Sequence, residues 1–266
     1  FPVGTTTNTF VVTDASGNTA TCSFDVTVTD NEPPLAVCAD ITVQLDSNGD
    51  ASITAADVDG GSTDNCGIAS LAISQSTFTC ADLGPNNVTL IVTDVSGNVS
   101  TCVAVVTLED NVPPVVVCLN IDAFLDATGS VTITAADVDG GSNDACGIAS
   151  IAIDIDTFTC DTDLGPNDVT LTVTDNNGNV STCLALVTVI DAIAPLIVCA
   201  ADIVVNTDPG QCSAVVFLPN PLAFDNCTVT VTQTTGFPSG SIFPIGVNMI
   251  EYEATDSSGN TTSCNF

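Results

Sequence analysis

The chain has 266 residues, 45% of them hydrophobic, and it contains 32 aspartates and glutamates but no lysine, arginine or histidine. Such an acidic chain repels nucleic acid and anionic membrane surfaces, which excludes nucleic-acid binding as a function. It has no apolar run of 18 residues and no basic leader, so neither membrane insertion nor a signal peptide is predicted. Valine, threonine, asparagine, aspartate and glycine dominate, which is typical of an all-β protein with short strands and tight turns.

An alternating strand is the first element that the sequence predicts. Four apolar side chains share one face of this strand, those of Cys22, Phe24, Val26 and Val28. Strict alternation with polar residues is typical of a half-buried antiparallel strand. A second alternating run ends just before Asp94, and we expect such strands to pair as hairpins.

A six-residue motif, Thr-Asp-x-x-Gly-Asn, recurs along the whole chain. Its aspartates lie 80 or 81 residues apart, and each is followed eight residues later by a cysteine. The four aspartates are Asp14, Asp94, Asp175 and Asp256. A fixed period of this length indicates tandem modules of about 80 residues. The glycine supplies the positive φ of a hairpin turn, so the motif is predicted to join two strands.

Short acidic joints that carry proline separate the modules. Proline stiffens such a joint and stops a sheet from continuing through it. We divide the chain into the second half of a truncated module at 1–32, two similar modules at 33–112 and 113–193, and a divergent module at 194–266 that stops before its last strand is complete. About seven strands fit in each module, which predicts tandem immunoglobulin-like β-sandwich repeats.

The two ends of the chain repeat one pattern. Phe1-Pro-Val-Gly opens the chain and Phe243-Pro-Ile-Gly recurs near its close, while the final Cys264-Asn-Phe echoes Cys22-Ser-Phe. A sandwich divided in this way exposes unpaired strand edges. We therefore expect these edges to be completed by other copies of the chain joined end to end, or by a longer repeat chain.

Six short runs give the chain a resemblance to a known family. They are Phe243-Pro-Ile-Gly246, Tyr252-Glu-Ala-Thr-Asp256, Gly259-Asn260, Cys264-Asn-Phe266, Asp208-Pro-Gly-Gln-Cys212 and Asp225-Asn-Cys227. Together they resemble the hyalin repeat (HYR) module over residues 194–266 and 1–32. The resemblance implies an immunoglobulin-like fold and a role in extracellular adhesion.

The two middle modules are similar to related repeats of large surface adhesins of Bacteroidetes-type bacteria. They depart from the HYR pattern in their first half, where Leu45-Asp-Ser-Asn-Gly-Asp50 replaces the Pro-Gly-x-Cys turn. A cysteine appears later instead, at Cys80 and at Cys160.

Thirteen cysteines without a Cys-x-x-Cys pair favour cystines in an oxidising, extracellular compartment over zinc or redox sites. Each complete module has four cysteines, and Cys22 is left over. We expect the strand cysteines to pair as 38–102, 118–183 and 199–264. The remaining pairs are predicted within modules, as 66–80, 146–160 and 212–227, with crossed pairs as the alternative.

Three groups of carboxylates in each module are candidate calcium ligands, because calcium takes six to eight oxygens and needs no nitrogen or sulfur. The first group surrounds a Gly-Gly turn. Its residues are Asp57, Asp59, Asp64 and Asn65, repeated as Asp137, Asp139 and Asp144. Like charges this close require either a cation or a raised pKa. The alternative is a solvated acidic loop.

The second group lies at the joints and resembles the linkers of cadherin-type proteins, where calcium stiffens adjacent domains. Its residues are Asp30 and Asn31 at the first joint, Asp110 and Asn111 at the second, and Asp191 at the third. The motif aspartates Asp14, Asp94, Asp175 and Asp256 are predicted to reach the joints from the same end of the sandwich. The alternative is that these side chains cap their own turns. A third run, Asp46-x-Asn48-x-Asp50, is predicted to be a simple hairpin turn.

Repetition decides between classes of function. A catalytic site would have to work with carboxylates alone, and every acidic cluster repeats with the module, so we do not expect an enzyme. The sequence predicts a structural or adhesive extracellular array that binds calcium and forms or extends a surface filament by end-to-end association. The alternative is a glycan- or protein-binding adhesin stalk, although a sugar site needs exposed aromatic platforms and the phenylalanines are expected to face the core.

Overall fold

Twenty-one strands and three single-turn helices make up the regular structure of a computed structural model that describes residues 1–266. The all-β prediction is confirmed. The chain forms two compact units, Phe1–Val112 and Pro113–Phe266. None of the helices is long and apolar enough to span a membrane.

The first unit contains a two-stranded hairpin followed by a six-stranded module. The hairpin consists of β1 (Gly4–Thr13) and β2 (Thr19–Val28). The module strands are β3 (Ile41–Gln44), β4 (Asp50–Ser52), β5 (Ile68–Ile73), β6 (Thr77–Thr79), β7 (Gly84–Asp94) and β8 (Val99–Glu109), with 3-10 turns at Ala55–Asp57 and Cys80–Asp82. One sheet has the order β3-β8-β7-β5, in which β3 and β8 are parallel, and β4 pairs with β6.

The second unit begins with a module of the same topology. Its elements are β9 (Ile121–Phe124), β10 (Ser130–Thr132), α1 (Ala135–Val138), β11 (Ile148–Ile153), β12 (Thr157–Thr159), β13 (Gly165–Asp175) and β14 (Val180–Ile190). The main sheet has the order β11-β13-β14-β9, and β10 pairs with β12. The sequence repeat is therefore a repeat of strand pairing.

The last module differs at one edge. Its strands are β15 (Leu196–Val198), β16 (Ser213–Val216), β17 (Leu222–Phe224), β18 (Val229–Thr235), β19 (Ser241–Pro244), β20 (Glu251–Asp256) and β21 (Thr261–Asn265). They form the pairs β15-β17 and β16-β19 and the sheet β18-β20-β21. Residues 202–205 hold the sequence position of β3 and β9 but form no strand. Val204 is accordingly 94% exposed.

The core of each middle module follows from strand alternation. On β7 the side chains of Val88, Leu90 and Val92 are fully buried, and their counterparts on β13 are buried to the same extent. Burying a side chain of this size stabilises the fold by about 1.5–3 kcal/mol relative to leaving it exposed. A repeated apolar pattern thus gives each module a separate core.

The disulfides confirm half of the predicted pairing and correct the rest. The three strand cystines are present as predicted: Cys38–Cys102, Cys118–Cys183 and Cys199–Cys264. The predicted pairs within modules are wrong, because Cys160 bonds Cys227 of the following module and because Cys66 and Cys212 are free. Cys160 lies at the end of its module that faces the last module, so proximity favours this bond between modules.

The hairpin β1-β2 is present as predicted, but β2 does not have the expected burial. The Thr-Asp-x-x-Gly-Asn turn joins the strands with Gly17 at φ +85°. Val26 and Val28 are half-buried, but Cys22 is exposed and Phe24 is 52% exposed. The reason is that β1 and β2 form a two-stranded sheet that no other strand joins.

Most phenylalanines also face solvent, contrary to the expectation that they face the core. Those with exposed rings are Phe1, Phe10, Phe24, Phe124, Phe217, Phe224 and Phe237. Phe78, Phe158 and Phe243 are buried. Alternation alone does not say which face of a strand is covered, so the expectation failed wherever the phenylalanine lies on the outer face.

Candidate cation sites at the module joints

The motif aspartate uses both carboxylate oxygens to close its own turn. Asp94 Oδ1 accepts hydrogen bonds from the backbone N–H groups of Ser96 and Asn98, each at 2.8 Å, and Oδ2 accepts one from Asn98 Nδ2 at 2.7 Å. Burial raises the pKa of Asp94, but these hydrogen bonds outweigh it and hold the pKa below its ordinary value. Asp14 and Asp175 close their turns in the same way, and the pKa of each is likewise lowered.

The asparagine of the motif ties this turn to the preceding joint. Asn98 Nδ2 also donates to the carbonyl oxygens of Asp30 and Glu32, both at 3.2 Å. In the last module, Asn260 Nδ2 donates in the same way to the carbonyls of Asp191 and Ile193, at 3.0 and 3.4 Å. Sequence reasoning missed this role, although the constant spacing of the asparagine from the joint was available as a signal.

Replacing Asn98 with alanine should destabilise the first unit by about 1–3 kcal/mol, because it leaves carboxylate and carbonyl acceptors without their donor. Asn87→Ala is the matched control, since Asn87 has an exposed side chain on the same hairpin, and it should change stability by about 0.5 kcal/mol or less. Urea unfolding measures both. Equal effects of the two substitutions would show that the turn does not hold the joint.

Three carboxylates meet at the first joint. Oxygens of Asp30, Asp64 and Asp94 lie within 4.8 Å of one another. Asp30 Oδ1 accepts the N–H of Glu32 at 3.1 Å, whereas its buried Oδ2 has no hydrogen-bond partner. Three negative charges this close repel one another, and the chain has no basic side chain to offset them.

The joint before the last module has a similar arrangement. Asp191 is only 4% exposed. Its Oδ1 accepts hydrogen bonds from the backbone N–H of Ile193 at 3.1 Å and from Asn226 Nδ2 at 3.2 Å. Its Oδ2 is buried without a partner, as are Asp225 Oδ1 and Asn226 Oδ1. Cys227 also lies in this cluster, but it is disulfide-bonded and so supplies no thiolate. The donors of this site are therefore oxygens.

The remaining predicted joint residues have local contacts. Asp110 Oδ1 accepts the N–H of Val112 at 3.0 Å, and Asn111 Nδ2 donates to Gln44 Oε1 at 2.6 Å. Asn31 is exposed. Asp144 Oδ1 accepts the N–H of Cys146 at 2.8 Å, in the same turn that Asp64 makes with Cys66.

The group predicted around the Gly-Gly turn does not stay together. Asp57 accepts hydrogen bonds from the backbone N–H of Thr54 at 2.6 Å and from its hydroxyl at 2.7 Å. Asp59 accepts hydrogen bonds from the hydroxyl of Ser62 at 2.6 Å and from its backbone N–H at 2.9 Å. These bonds lower the pKa of both carboxyls, so the alternative of a raised pKa was wrong. Asp137 and Asp139 repeat these contacts and shifts.

The run at Asp46 forms a tight turn but not the predicted hairpin, because the flanking strands β3 and β4 belong to different sheets. Asp46 Oδ1 accepts the N–H groups of Asn48 and Asp50, at 2.8 and 3.1 Å. These bonds lower the pKa of Asp46.

Chemically, the joints offer clustered carboxylate and amide oxygens. Such a donor set suits hard cations that prefer oxygen, above all calcium. Two contributors were not in the predicted set, Asp225 and Asn226. They occupy the sequence positions of Asp64 and Asn65, so the repeat itself was the signal that could have identified them.

Fold and cystines together define an extracellular protein built from tandem, disulfide-bonded β-sandwich modules. Residues 1–28 and 190–266 match the family model described as the HYR domain. This confirms the resemblance predicted for the two ends of the chain.

Relatives extend the similarity to the middle modules. The chain is 31% identical over 287 residues to Hyalin of Strongylocentrotus purpuratus, covering 100% of this chain and 23% of the relative. It is 28% identical over 279 residues to Hyalin of Lytechinus variegatus, covering 99% of this chain and 52% of the relative. The chain thus spans from a quarter to a half of these animal proteins, and they give no support to the resemblance to bacterial adhesins.

Among solved structures, human CDH23 EC21-23 aligns over 88% of this chain and 99% of its own length. The identity is 12% and the TM-score is 0.36. A likeness at this level supports no argument about function.

Proposed function

We propose that this chain is a segment of a structural or adhesive extracellular array in which calcium stiffens the module joints and copies associate end to end. The observation that carries the calcium part is the buried set of oxygens without hydrogen-bond partners at Asp30, Asp191, Asp225 and Asn226. A buried polar atom without a partner costs about 1–3 kcal/mol, and more when it is charged. A bound cation would remove that cost at each joint.

Calcium fits these joints better than other common cations. Its six to eight oxygen ligands form an irregular shell at 2.3–2.6 Å, whereas magnesium requires a near-octahedral shell and retains waters. Zinc prefers nitrogen and thiolate ligands. Asp110 is included in the same proposal because it holds the sequence position of Asp30. Asp57, Asp59, Asp137 and Asp139 would be weaker ligands because Thr and Ser donors already occupy their oxygens.

Isothermal titration calorimetry with calcium should show saturable binding that Asp225→Asn weakens about tenfold or more, because the substitution removes one of two clustered charges. Asp57→Asn is the matched control and should bind nearly as tightly as the unmodified chain. Asp57→Ala with Asp59→Ala should in turn weaken binding more than Asp46→Ala. If Asp225→Asn kept its calcium affinity and Asp57→Asn lost it, the calcium site would instead be at the Gly-Gly turn.

End-to-end association is supported by matching exposed surfaces. Phe10 stacks on Phe24 with ring centroids 5.9 Å apart, and both rings are more than half exposed. Their counterparts Tyr252 and Phe266 stack at 6.4 Å, where Tyr252 is only 8% exposed because the last module covers it. The β1-β2 hairpin therefore has the pattern of a sandwich half without its cover.

The last module has a complementary opening. A cavity of about 660 Å³ lies beside residues 202–207 and is lined by Val205, Val216, Phe243, Ile250 and Phe266, among others. In the middle modules the corresponding edge is closed by the end of β8 against β3, with Leu108 only 2% exposed. Val28 is the counterpart of Leu108. The end of β2 that carries Val28, supplied by another copy, would close this edge in the same way.

Exposed phenylalanines favour a second candidate, a glycan- or protein-binding adhesin stalk. Phe217 is 78% and Phe224 60% exposed, and exposed rings are what a sugar face stacks on. A glycan array probed with the calcium-loaded chain tests this alternative. Binding that Phe217→Ala abolishes would support it, and an array without hits would leave the structural role.

A further inference from the structure

Three cysteines are free and exposed, Cys22, Cys66 and Cys212. The other ten are disulfide-bonded. The bond from Cys160 to Cys227 joins one module to the next, and it shows which two positions of consecutive modules form a cystine. Cys66 holds one of these positions and Cys212 holds the other.

Cys66 holds the position of Cys227. Each is the last residue of an Asp-x-Cys turn in which the cysteine N–H donates to the aspartate at 3.1 Å. Each also adjoins a cluster of joint carboxylates. The difference is burial, since Cys227 is half-buried against the preceding module whereas Cys66 is exposed.

Cys212 holds the position of Cys160, although the two lie at different places in the sequence. The Cys160 N–H donates to the carbonyl of Gly129 at 3.1 Å, and a Cβ on Gly129 would meet Cys160 Sγ at 2.9 Å. This places Cys160 against the turn that leads into β10. Cys212 lies within the corresponding turn, which leads into β16. A hydrogen bond from the Asp208 N–H to the carbonyl of Ser213, at 2.8 Å, closes this turn.

We propose that Cys212 of one copy and Cys66 of the next form an intermolecular disulfide that locks the array covalently. This rests on the proposed end-to-end association, which would bring the turn at Cys212 against the Asp-x-Cys turn of the following copy. Both thiols lose a proton and the S–S bond forms. The two electrons reduce a low-molecular-weight disulfide such as oxidised glutathione to two thiols.

The test uses the chain purified with its native cystines and incubated with oxidised glutathione. Non-reducing denaturing electrophoresis should show a ladder in steps of 26.8 kDa. Cys66→Ser or Cys212→Ser alone should abolish the ladder, and an equal mixture of the two variants should stop at a dimer. Cys22→Ser is the matched control and should leave the ladder intact. Peptide mapping after Asp-N digestion should find Cys66 joined to Cys212.

A ladder that survives Cys66→Ser, or a cross-link that maps to Cys22, would overturn the proposal. Sedimentation of the Cys66→Ser, Cys212→Ser double variant separates this failure from failure of the array itself. If the double variant associates and the unmodified chain forms no ladder, end-to-end association stands and the disulfide is wrong. If neither associates, the proposed array is wrong as well.

Discussion

Chelating calcium should lower the melting temperature of this chain by about 10 °C or more. A ligand at 100 times its dissociation constant stabilises the folded state by about 2.7 kcal/mol per site, and 1 kcal/mol corresponds to roughly 4–8 °C in a domain of 60–100 residues. The 32 carboxylates without a basic partner add self-repulsion that calcium would relieve. Calorimetric melts in excess calcium and in EDTA measure the difference. Coincident melts would remove calcium from the joints.

One substitution should reverse its effect between these two conditions. Asp191→Asn keeps an oxygen for the Ile193 N–H and removes one charge beside Asp225, which lies within 4.8 Å. In EDTA the variant should melt at or above the temperature of the unmodified chain, because repulsion falls. In calcium it should melt lower, because the site loses a ligand charge. Asp208→Asn, outside the joint, should show no such reversal.

The modular fold was predictable because one physical signal occurs several times. Alternation around Val88 and the glycine turn at Asp94 each indicate a strand or a hairpin, and their recurrence after about 80 residues fixes the period. Strand cystines such as Cys38–Cys102 could be predicted for the same reason, since they hold the same place in every module.

The joints were predicted only in part, because spacing within a module does not show which turns lie at which end. Asp64 was grouped with Asp57 on sequence proximity, yet it lies with Asp30 and Asp94. The cysteine pairs failed for the same reason. Cys160 lies nearer in sequence to Cys146, but the fold places it against the following module. Burial of β2 could not be read from alternation either, since alternation predicts an apolar face and not what covers it.

Placing an aspartate at Val28 should abolish end-to-end association while leaving each copy folded. Val28 is only half-buried in the single chain, so the substitution costs less there than in a complete module. Its counterparts in the complete modules, Leu108 and Val189, are both only 2% exposed. A carboxylate brought into that position in an assembled module would be buried without a cation partner, at a cost of several kcal/mol. Association measured by sedimentation velocity should weaken at least roughly 100-fold, which corresponds to about 2.7 kcal/mol.

Ser23→Asp is the matched control, because Ser23 lies on the face of β2 opposite to Val28. Its counterparts Val103 and Leu184 are 57% and 64% exposed in the complete modules, so a carboxylate there stays in water and association should persist. Equal association of Val28→Asp and Ser23→Asp would show that this face of β2 is not the contact. Loss of association in both variants would point to general charge repulsion between copies. Added salt would then restore association, because salt screens the repulsion between exposed charges.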